Sequence, residues 1–263
     1  MRIATWNINS VRLRIDRVAA FAQATEADVI CLQETKVQDD LFPMDAVREM
    51  GYAHTVISGM KSYNGVAILS KLPLKDVQRE TWCGRTDCRH ISAKLPGGVE
   101  LHNFYVPAGG DVPDPEKNDK FAHKLDFLDE MTDWFPANRS AGKKMILVGD
   151  LNIAPLETDV WSHKQMLKVV SHTPVEVEKL GAVQDTLGWV DAVRHFVPES
   201  EKLYSWWSYR ARDWDASDRG RRLDHVWVTP PLKKSLSGAS VLRHERGGEK
   251  PSDHVPVVVD FSF

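Results

Sequence analysis

The sequence lacks the features that mark secreted, membrane-spanning and disulfide-rich proteins. Its 263 residues include only three cysteines, Cys31, Cys83 and Cys88. This odd and widely spaced set forms neither a disulfide framework nor a Cys-x-x-Cys zinc site, so we expect reduced, structural thiols. No apolar run approaches the roughly 20 residues that span a membrane, and the N-terminus has no signal-peptide pattern. We therefore expect a cytoplasmic protein.

A strong charge bias and flexible segments are also missing. Lys and Arg total 34 and Asp and Glu total 37, which gives a formal net charge of −3. This balance excludes a histone-like binder with a global positive field, but it is compatible with a local basic face. No internal repeat, low-complexity tract or linker divides the chain. With 42% hydrophobic residues, we expect a single domain over residues 1–263.

Apolar runs of strand length are present along the whole chain: RIATW, DVICLQ, GVAILS, HISAKL, VELHNFY, KMILVG, DHVWVT and VPVVVDF. Several are apolar at successive positions, which predicts strands buried on both faces. Helices are predicted from Lys117 to Pro136, where an apolar stripe has helical spacing, and from Thr173 to about Leu187, where a capping box begins. The predicted helices are too few for each strand to be followed by a helix. This favours an α/β fold in which packed sheets are flanked by helices.

Polar side chains collect at the ends of these strands: Asn7, Glu34, Tyr105, Asp150, Asp224, Asp253 and His254. Side chains at strand ends have rigid supports and can converge on one edge of a sheet. Each of them alone has an ordinary explanation as a turn former, a core residue or a solvated charge. Their joint occurrence is what favours a functional site.

The stretch GDLNIAP, from Gly149 to Pro155, can be interpreted either as a structural turn or as part of a binding site. It could be a simple turn after a strand, because Gly and Pro bend the backbone while Asp and Asn cap it. Alternatively, the carboxylate of Asp150 and the amide of Asn152 could bind one metal or phosphate. The other strand-end residues supply the partners that this second interpretation needs.

The chemistry of the combined set indicates phosphodiester hydrolysis. Carboxylate and amide oxygens, with no cysteine ligand, suit Mg²⁺ or Mn²⁺ rather than zinc. An Asp and a His can form a pair in which the carboxylate orients the imidazole and favours its charged form. Because unaided phosphate-ester hydrolysis is very slow, several cooperating groups are expected.

Seven short motifs make the interpretation specific: TWNINSVR, LQETK, YNGVAILSK, GDLNIAP, WWSYR, RRLDHVWV and PSDHVPV. Together they resemble, in order, the motif set of the exonuclease III family of apurinic/apyrimidinic (AP) endonucleases, part of the endonuclease/exonuclease/phosphatase superfamily. The resemblance covers Thr5 to Val257. It implies a four-layered α/β sandwich of the DNase I type, with two packed mixed β-sheets flanked by helices and the catalytic residues at one edge.

The resemblance also implies roles for the strand-end residues. Catalysis would involve Tyr105, Asp150, Asn152, Asp224 and His254. Metal binding would involve Asn7, Glu34, Asp150, Asn152, Asp253 and His254, with Glu34 as the principal ligand. Asp150 would activate the attacking water or hold a second metal. His254, paired with Asp224, would donate to a phosphate oxygen.

Contacts with DNA are expected from Arg89, Trp206, Trp207, Arg210 and Arg221, because aromatic rings stack on bases or sugars and arginines bind phosphates. The sequence departs from the family pattern at two positions. Arg221 stands where a large apolar residue is usual, and Ala108 stands where a Gln is found in relatives. Both departures affect the expected balance between cutting at abasic sites and trimming 3′ ends.

We therefore expect a Mg²⁺-dependent monomeric enzyme that acts on double-stranded DNA with abasic sites or 3′ ends, in association with the nucleoid. Two alternatives remain open at this stage. The first is a phosphatase of the same superfamily that acts on inositol phosphates or another small phosphoester. The second is a catalytically inactive DNA-binding module, although such a binder would need none of Glu34, Asp150 and His254.

Overall fold

Two six-stranded sheets form the centre of the structure, a computed structural model that describes residues 1–262. The first sheet contains, in spatial order, β13 (Leu236–Val241), β14 (Val257–Phe261), β1 (Arg2–Asn7), β2 (Val29–Gln33), β4 (Val66–Ser70) and β3 (His54–Ser58). The second contains β5 (Lys75–Gln78), β6 (His90–Leu95), β7 (Val99–Tyr105), β8 (Met145–Asp150), β12 (Asp224–Val228) and β9 (Val190–Asp191). A separate short ladder pairs β10 (Trp206–Trp207) with β11 (Gly220–Arg221).

Helices cover the outer face of each sheet. The first sheet packs against α1 (Val11–Thr25) and α2 (Met44–Glu49), and the second against α3 (Asp119–Asn138) and α5 (Pro174–Asp185). The short helices α4 (His163–Met166) and α6 (Trp214–Ser217) lie in connecting segments. This arrangement confirms the predicted four-layered α/β sandwich. Within residues 1–262, no helix combines the length and apolarity that crossing a membrane requires.

The apolar strand runs follow from burial on both faces. In β2, Val29 and Cys31 point into the core between the two sheets, whereas Ile30 and Leu32 pack under the helices. Successive side chains of a strand point to opposite faces, so a strand covered on both sides needs apolar residues at every position. All three cysteines are free thiols, as expected.

The eight predicted strands are all present, and both predicted helices are confirmed. Helix α3 continues two residues beyond Pro136, and α5 begins with the capping box between Thr173 and Glu176. Strands that the sequence analysis did not predict include β5, whose four residues are all exposed, and β13, which is mostly outside the core. These lie at sheet edges, where little burial leaves little apolar pattern.

The topology brings the polar strand ends together. β1 and β2 are parallel, as are β7 and β8, so their carboxyl ends lie at matching edges of the two sheets. β12 runs antiparallel to β8 and places Asp224 opposite Asp150. Just before Asp150, Gly149 has φ of 142°, and a Cβ there would lie 1.9 Å from the Phe104 carbonyl oxygen. Only glycine allows this close approach of β8 to β7.

Two histidines are buried on neighbouring strands of the second sheet, on the face that packs against α3. The rings of His90 and His102 stack, and His90 Nε2 lies 3.0 Å from His102 Nδ1. Burial lowers the pKa of His90 well below its ordinary value, and burial also lowers that of His102, although Glu100 opposes this second shift. Both side chains are therefore neutral in the folded protein near pH 7.

This burial predicts a loss of stability in mild acid. Because the unfolded chain binds protons on these histidines near pH 6.5 and the folded chain does not, the stability that the two histidines contribute is complete above about pH 6.5 and declines as the pH falls. Each histidine contributes a slope of up to about 1.4 kcal/mol per pH unit. Urea unfolding between pH 7 and 5 in chelator would measure it. In the variant His90→Gln, the free energy of unfolding should depend less steeply on pH. The same dependence as in the wild type would contradict a neutral, buried His90.

Candidate active site

A cavity of about 270 Å³ opens at the edge where the polar strand ends converge. Four of the residues predicted to act in catalysis or metal binding line it: Glu34, Asn152, Asp253 and His254. Trp206, Arg221 and Ala108 also line it, so the two positions that depart from the family pattern face the same space. The sequence analysis therefore identified residues that the fold brings together from distant parts of the chain.

A hydrogen-bonded cluster joins the two sheets beside this cavity. The amide nitrogen of Asn7 donates to Glu34 Oε1 at 2.9 Å and to Asp150 Oδ2 at 2.8 Å. The Tyr105 hydroxyl donates to the same Glu34 oxygen at 2.8 Å. Asn7, a predicted metal ligand, thus presents its nitrogen to the carboxylates, while its oxygen accepts from the backbone N–H of Asn9.

Glu34 is held as a carboxylate by a neighbouring cation. Lys36 Nζ lies 2.7 Å from Glu34 Oε2 and donates to the side-chain oxygen of Asn9. Burial raises the pKa of Glu34, but the charge and hydrogen bond of Lys36 outweigh it and bring the pKa below its ordinary value. Glu34 and Lys36 both have positive φ, 51° and 53°, a conformation that is uncommon outside glycine and clusters at functional sites.

Asp150 and Asn152 shape a backbone turn, and their side chains also belong to the polar cluster. Asp150 Oδ1 accepts from the backbone N–H of Asn152 at 2.9 Å, and Asn152 has φ of 56°. The Asn152 side-chain nitrogen donates to Val106 O and Asp150 Oδ2. Burial raises the pKa of Asp150 above its ordinary value, although the charge of His254 opposes the shift. The two interpretations of GDLNIAP are therefore compatible.

His254 forms a buried ion pair with Asp224. Its Nδ1 lies 2.8 Å from Asp224 Oδ2, which also accepts from the Ser205 hydroxyl at 2.6 Å. Its other nitrogen, Nε2, lies 3.6 Å from Asp150 Oδ2. Burial lowers the pKa of His254, but the carboxylates of Asp224 and Asp150 outweigh this effect and raise the pKa above its ordinary value. The imidazole is therefore a charged hydrogen-bond donor.

The donor set fits a hard divalent cation. Possible ligand atoms of Asp150, Asp224 and His254 lie within 4.8 Å of one another. A protonated imidazole has no free lone pair, however, so His254 and Asp224 fit an ion pair better than a metal centre. Carboxylate oxygens of Glu34 and Asp150 are the ligands that Mg²⁺ or Mn²⁺ prefers. Glu34 lines the cavity and its pKa lies below the ordinary value, so it offers a charged carboxylate to a cation there.

Asp253 and Trp206 form one unit at the cavity wall. Asp253 accepts from the Asn9 amide at 3.0 Å and from Trp206 Nε1 at 2.9 Å. Burial raises the pKa of Asp253, but His254 and these hydrogen bonds bring it below its ordinary value. The ring of Trp206 faces Arg221, whose guanidinium carbon lies 4.9 Å from the ring centre.

The other expected DNA contacts lie outside this cavity. Trp207 is only 2% exposed and donates from Nε1 to Asp218 at 3.1 Å, so its indole packs as core. Together with the exposed Arg210, it borders a separate cavity of about 220 Å³. Arg89 stacks on the ring of Tyr105 at 4.8 Å and donates to the Tyr105 carbonyl. Of the two neighbouring tryptophans, Trp206 is therefore the one that lines the cavity beside Glu34 and His254.

Sequence reasoning missed four residues that support the site: Asn9, Lys36, Lys124 and Ser205. Asn9 and Lys36 lie inside the motifs TWNINSVR and LQETK, which could have indicated them. Lys124 lies in the apolar stripe of α3, and its ammonium donates to Asn152 O at 2.8 Å and pairs with Glu176. A lysine within the apolar stripe of a predicted helix is unusual, and this could have indicated Lys124 from the sequence.

Comparison with known proteins identifies the family and the fold. Residues 4–254 match the endonuclease/exonuclease/phosphatase family. The chain is 30% identical to exodeoxyribonuclease III of Haemophilus influenzae over 99% of its length and 100% of that protein. Its fold is similar to that of an AP endonuclease from Archaeoglobus fulgidus, with a TM-score of 0.93 and 32% identity over all of both chains. It is also similar to a 3′ phosphatase from Neisseria bound to a product DNA hairpin, with a TM-score of 0.91 and 31% identity over all of both chains. The chain belongs to the endonuclease/exonuclease/phosphatase family, in the group of exodeoxyribonuclease III relatives.

Proposed function

We propose that this protein is a Mg²⁺-dependent DNA-repair phosphodiesterase that cuts duplex DNA 5′ to abasic sites and trims 3′ ends. One observation carries the proposal: the clustered carboxylates of Glu34 and Asp150 lie beside a charged His254 held by Asp224. Metal ligands, a base and a cationic donor are the parts that phosphodiester hydrolysis requires. The names of the relatives, an exodeoxyribonuclease III, an AP endonuclease and a 3′ phosphatase, support the same activities.

The protonated His254 stabilises the charge that develops on a phosphate oxygen. Its Asp224 partner and the Ser205 hydroxyl fix the ring, so the donor needs no reorganisation during the reaction. Asp150 takes the proton of the attacking water, because its raised pKa brings it closer to neutral pH than an ordinary aspartate. Asn152 orients that water or the phosphate.

Tyr105 donates a proton or a hydrogen bond near the leaving oxygen. Burial and the charges of Glu34 and Asp150 raise its pKa well above the ordinary value, so the phenol stays protonated. Glu34, helped by Asp253 and Asp150, would hold the divalent ion. When bound, that ion supplies Lewis-acid neutralisation of phosphate charge.

A gel assay tests the proposal. Labelled duplexes with an abasic analogue, a nick or a recessed 3′ end should all be cleaved with Mg²⁺, and none with excess chelator. Because the carboxylates need a cation to offset their repulsion of phosphate, chelation should remove essentially all activity. Mn²⁺ in place of Mg²⁺ should restore it.

This gel assay, run beside a phosphate-release assay on inositol phosphates, separates the alternatives. Release of phosphate from inositol phosphates, with intact abasic duplexes, would favour a small-molecule phosphatase. Duplex binding without cleavage under any metal would favour an inactive DNA-binding module. Either result contradicts the proposed function.

We also propose that the enzyme acts as a monomer. Asn7 already links Glu34 to Asp150 and Asp224 already holds His254, so the cluster needs no residue from a second copy. Light scattering at the assay concentration would test this, and a dimer mass would contradict it.

A further inference from the structure

Lys36 places an ammonium group inside the polar cluster, against a carboxylate that the proposed function assigns to the metal. Its Nζ lies 2.7 Å from Glu34 Oε2 and donates to Asn9 Oδ1 at 2.7 Å. The amide of Asn9 in turn donates to Asp253 Oδ1 at 3.0 Å. The ammonium is therefore connected to two of the carboxylates that would hold a divalent ion.

The backbone holds this lysine at the cluster. The N–H of Lys36 donates to the carbonyl of Asn64 at 2.9 Å, and that of the preceding Thr35 donates to the carbonyl of Gly65 at 3.1 Å. Glu34 and Lys36 both have positive φ, so a constrained turn presents the two side chains. The Lys36 side chain is 30% exposed. Its charge therefore stays beside Glu34 and is not that of a freely moving surface lysine.

The oxygens of Glu34 offer few free acceptor positions to a metal. A carboxylate has about four such positions, two on each oxygen. Oε1 already accepts from the Asn7 amide at 2.9 Å and from the Tyr105 hydroxyl at 2.8 Å. A cation that binds Glu34 without breaking these two hydrogen bonds must therefore bind Oε2, which is the oxygen that Lys36 contacts.

The distribution of charge shows what the ammonium does at this oxygen. His254, the other cation of the cluster, faces Asp224 and Asp150. Lys36 is the cation in contact with Glu34, so it offsets the charge of that carboxylate in the metal-free protein. A divalent ion on Oε2 would offset the same charge and would be repelled by the ammonium. The two cations therefore compete for one oxygen.

We propose that Lys36 competes with the divalent ion for Glu34, which weakens metal binding and keeps the carboxylate paired when no ion is bound. This inference rests on the proposed function and adds to it how metal occupancy is set. A weakened site fills only at a higher metal concentration. Lysine suits this role because its compact charge on a flexible stem can turn from Oε2 towards Asn9 without leaving the cluster.

Metal titration without DNA tests the proposal, because it measures binding and not catalysis. Mn²⁺ is the probe, its free concentration is followed by electron paramagnetic resonance, and Mg²⁺ is added as a competitor. Lys36→Met keeps much of the apolar stem but removes the charge. It should bind Mn²⁺ about 10- to 100-fold more tightly than the wild type, since an ammonium repels a doubly charged ion strongly at this range.

Thermal unfolding gives a second measurement of the same competition. A ligand that binds only the folded state raises stability more as its dissociation constant falls. Mg²⁺ at one fixed concentration should therefore raise the Tm of Lys36→Met more than the Tm of the wild type. In chelator the variant should unfold at a lower temperature than the wild type, because Glu34 has lost its cation.

Two control variants locate the effect. Lys61 is exposed on the loop between β3 and β4, whose Asn64 carbonyl binds the Lys36 backbone. Lys61→Met removes the same charge from the neighbouring surface, and the affinity for Mn²⁺ should stay within about 2-fold because solvent screens exposed charges. Adding Glu34→Gln to Lys36→Met should cancel the gain in affinity, because the competition takes place on Glu34.

Equal or weaker Mn²⁺ binding by folded Lys36→Met would overturn the inference and show that Lys36 instead positions Glu34 for the ion. If that variant does not fold, Lys36→Gln provides the same comparison with a polar side chain. Absence of Mn²⁺ binding in both the wild type and the variant would contradict the proposed metal-dependent function itself. The two failures are therefore distinguishable.

Discussion

Asp150→Asn should lower kcat by at least ~10²-fold, the effect of losing a positioned base or charge stabiliser. Asp150 is fully buried between His254 and the amides of Asn7 and Asn152. An asparagine keeps the size of the side chain but cannot accept a proton from water. It also removes one of the two carboxylates that hold His254 in its charged form.

Rate and binding must be measured separately in this variant. Single-turnover cleavage gives the rate, and fluorescence anisotropy with an abasic-analogue duplex in chelator gives affinity, which should change little. Asp133→Asn, an exposed carboxylate on α3, is the matched control and should retain wild-type activity. Near-normal cleavage by folded Asp150→Asn would exclude the role proposed for Asp150.

The second large effect is expected on stability. Lys124→Met should lower the free energy of unfolding by about 3–5 kcal/mol, the usual cost of removing one partner of a buried ion pair. Lys124 and Glu176 are both fully buried, and Glu176 also accepts from the backbone of Ser171 and Thr173. Burial lowers the pKa of Lys124, although the Glu176 carboxylate opposes this shift.

Urea unfolding of the wild type, Lys124→Met, Glu176→Gln and the double variant measures this effect. The double variant Lys124→Met with Glu176→Gln should recover part of the loss, because no unpaired charge then remains buried. Lys124→Met should also reduce kcat, since Lys124 holds the carbonyl of Asn152 at 2.8 Å. A loss below about 1 kcal/mol would show that solvent reaches Glu176 and compensates for the missing lysine.

The strands could be predicted, and the polar residues at their ends could be recognised, because both depend on local rules. Burial on two faces makes β2 apolar at each position, and polar residues directly after such a strand stand out. The edge strands β5 and β13 carry no such signal. Trp206 and Trp207 are neighbours in sequence, so only the three-dimensional packing separates a cavity residue from a core residue.

The electrostatics of the site could not be predicted in the same way. Glu34 and Asp150 are both carboxylates after strands, yet their pKa values shift in opposite directions. The difference arises because Lys36 pairs with Glu34, whereas burial dominates at Asp150. These balances depend on which neighbours the completed fold supplies.

The pairing of the first strand with the last has a consequence for how the activity arises during protein synthesis. β1 lies between β2 and β14, and the site needs both Asn7 at the end of β1 and His254 just before β14. A ribosome makes Asn7 long before His254, although Asp150 contacts both side chains in the folded protein. A nascent chain therefore lacks the complete cluster until the segment that carries His254 has been translated.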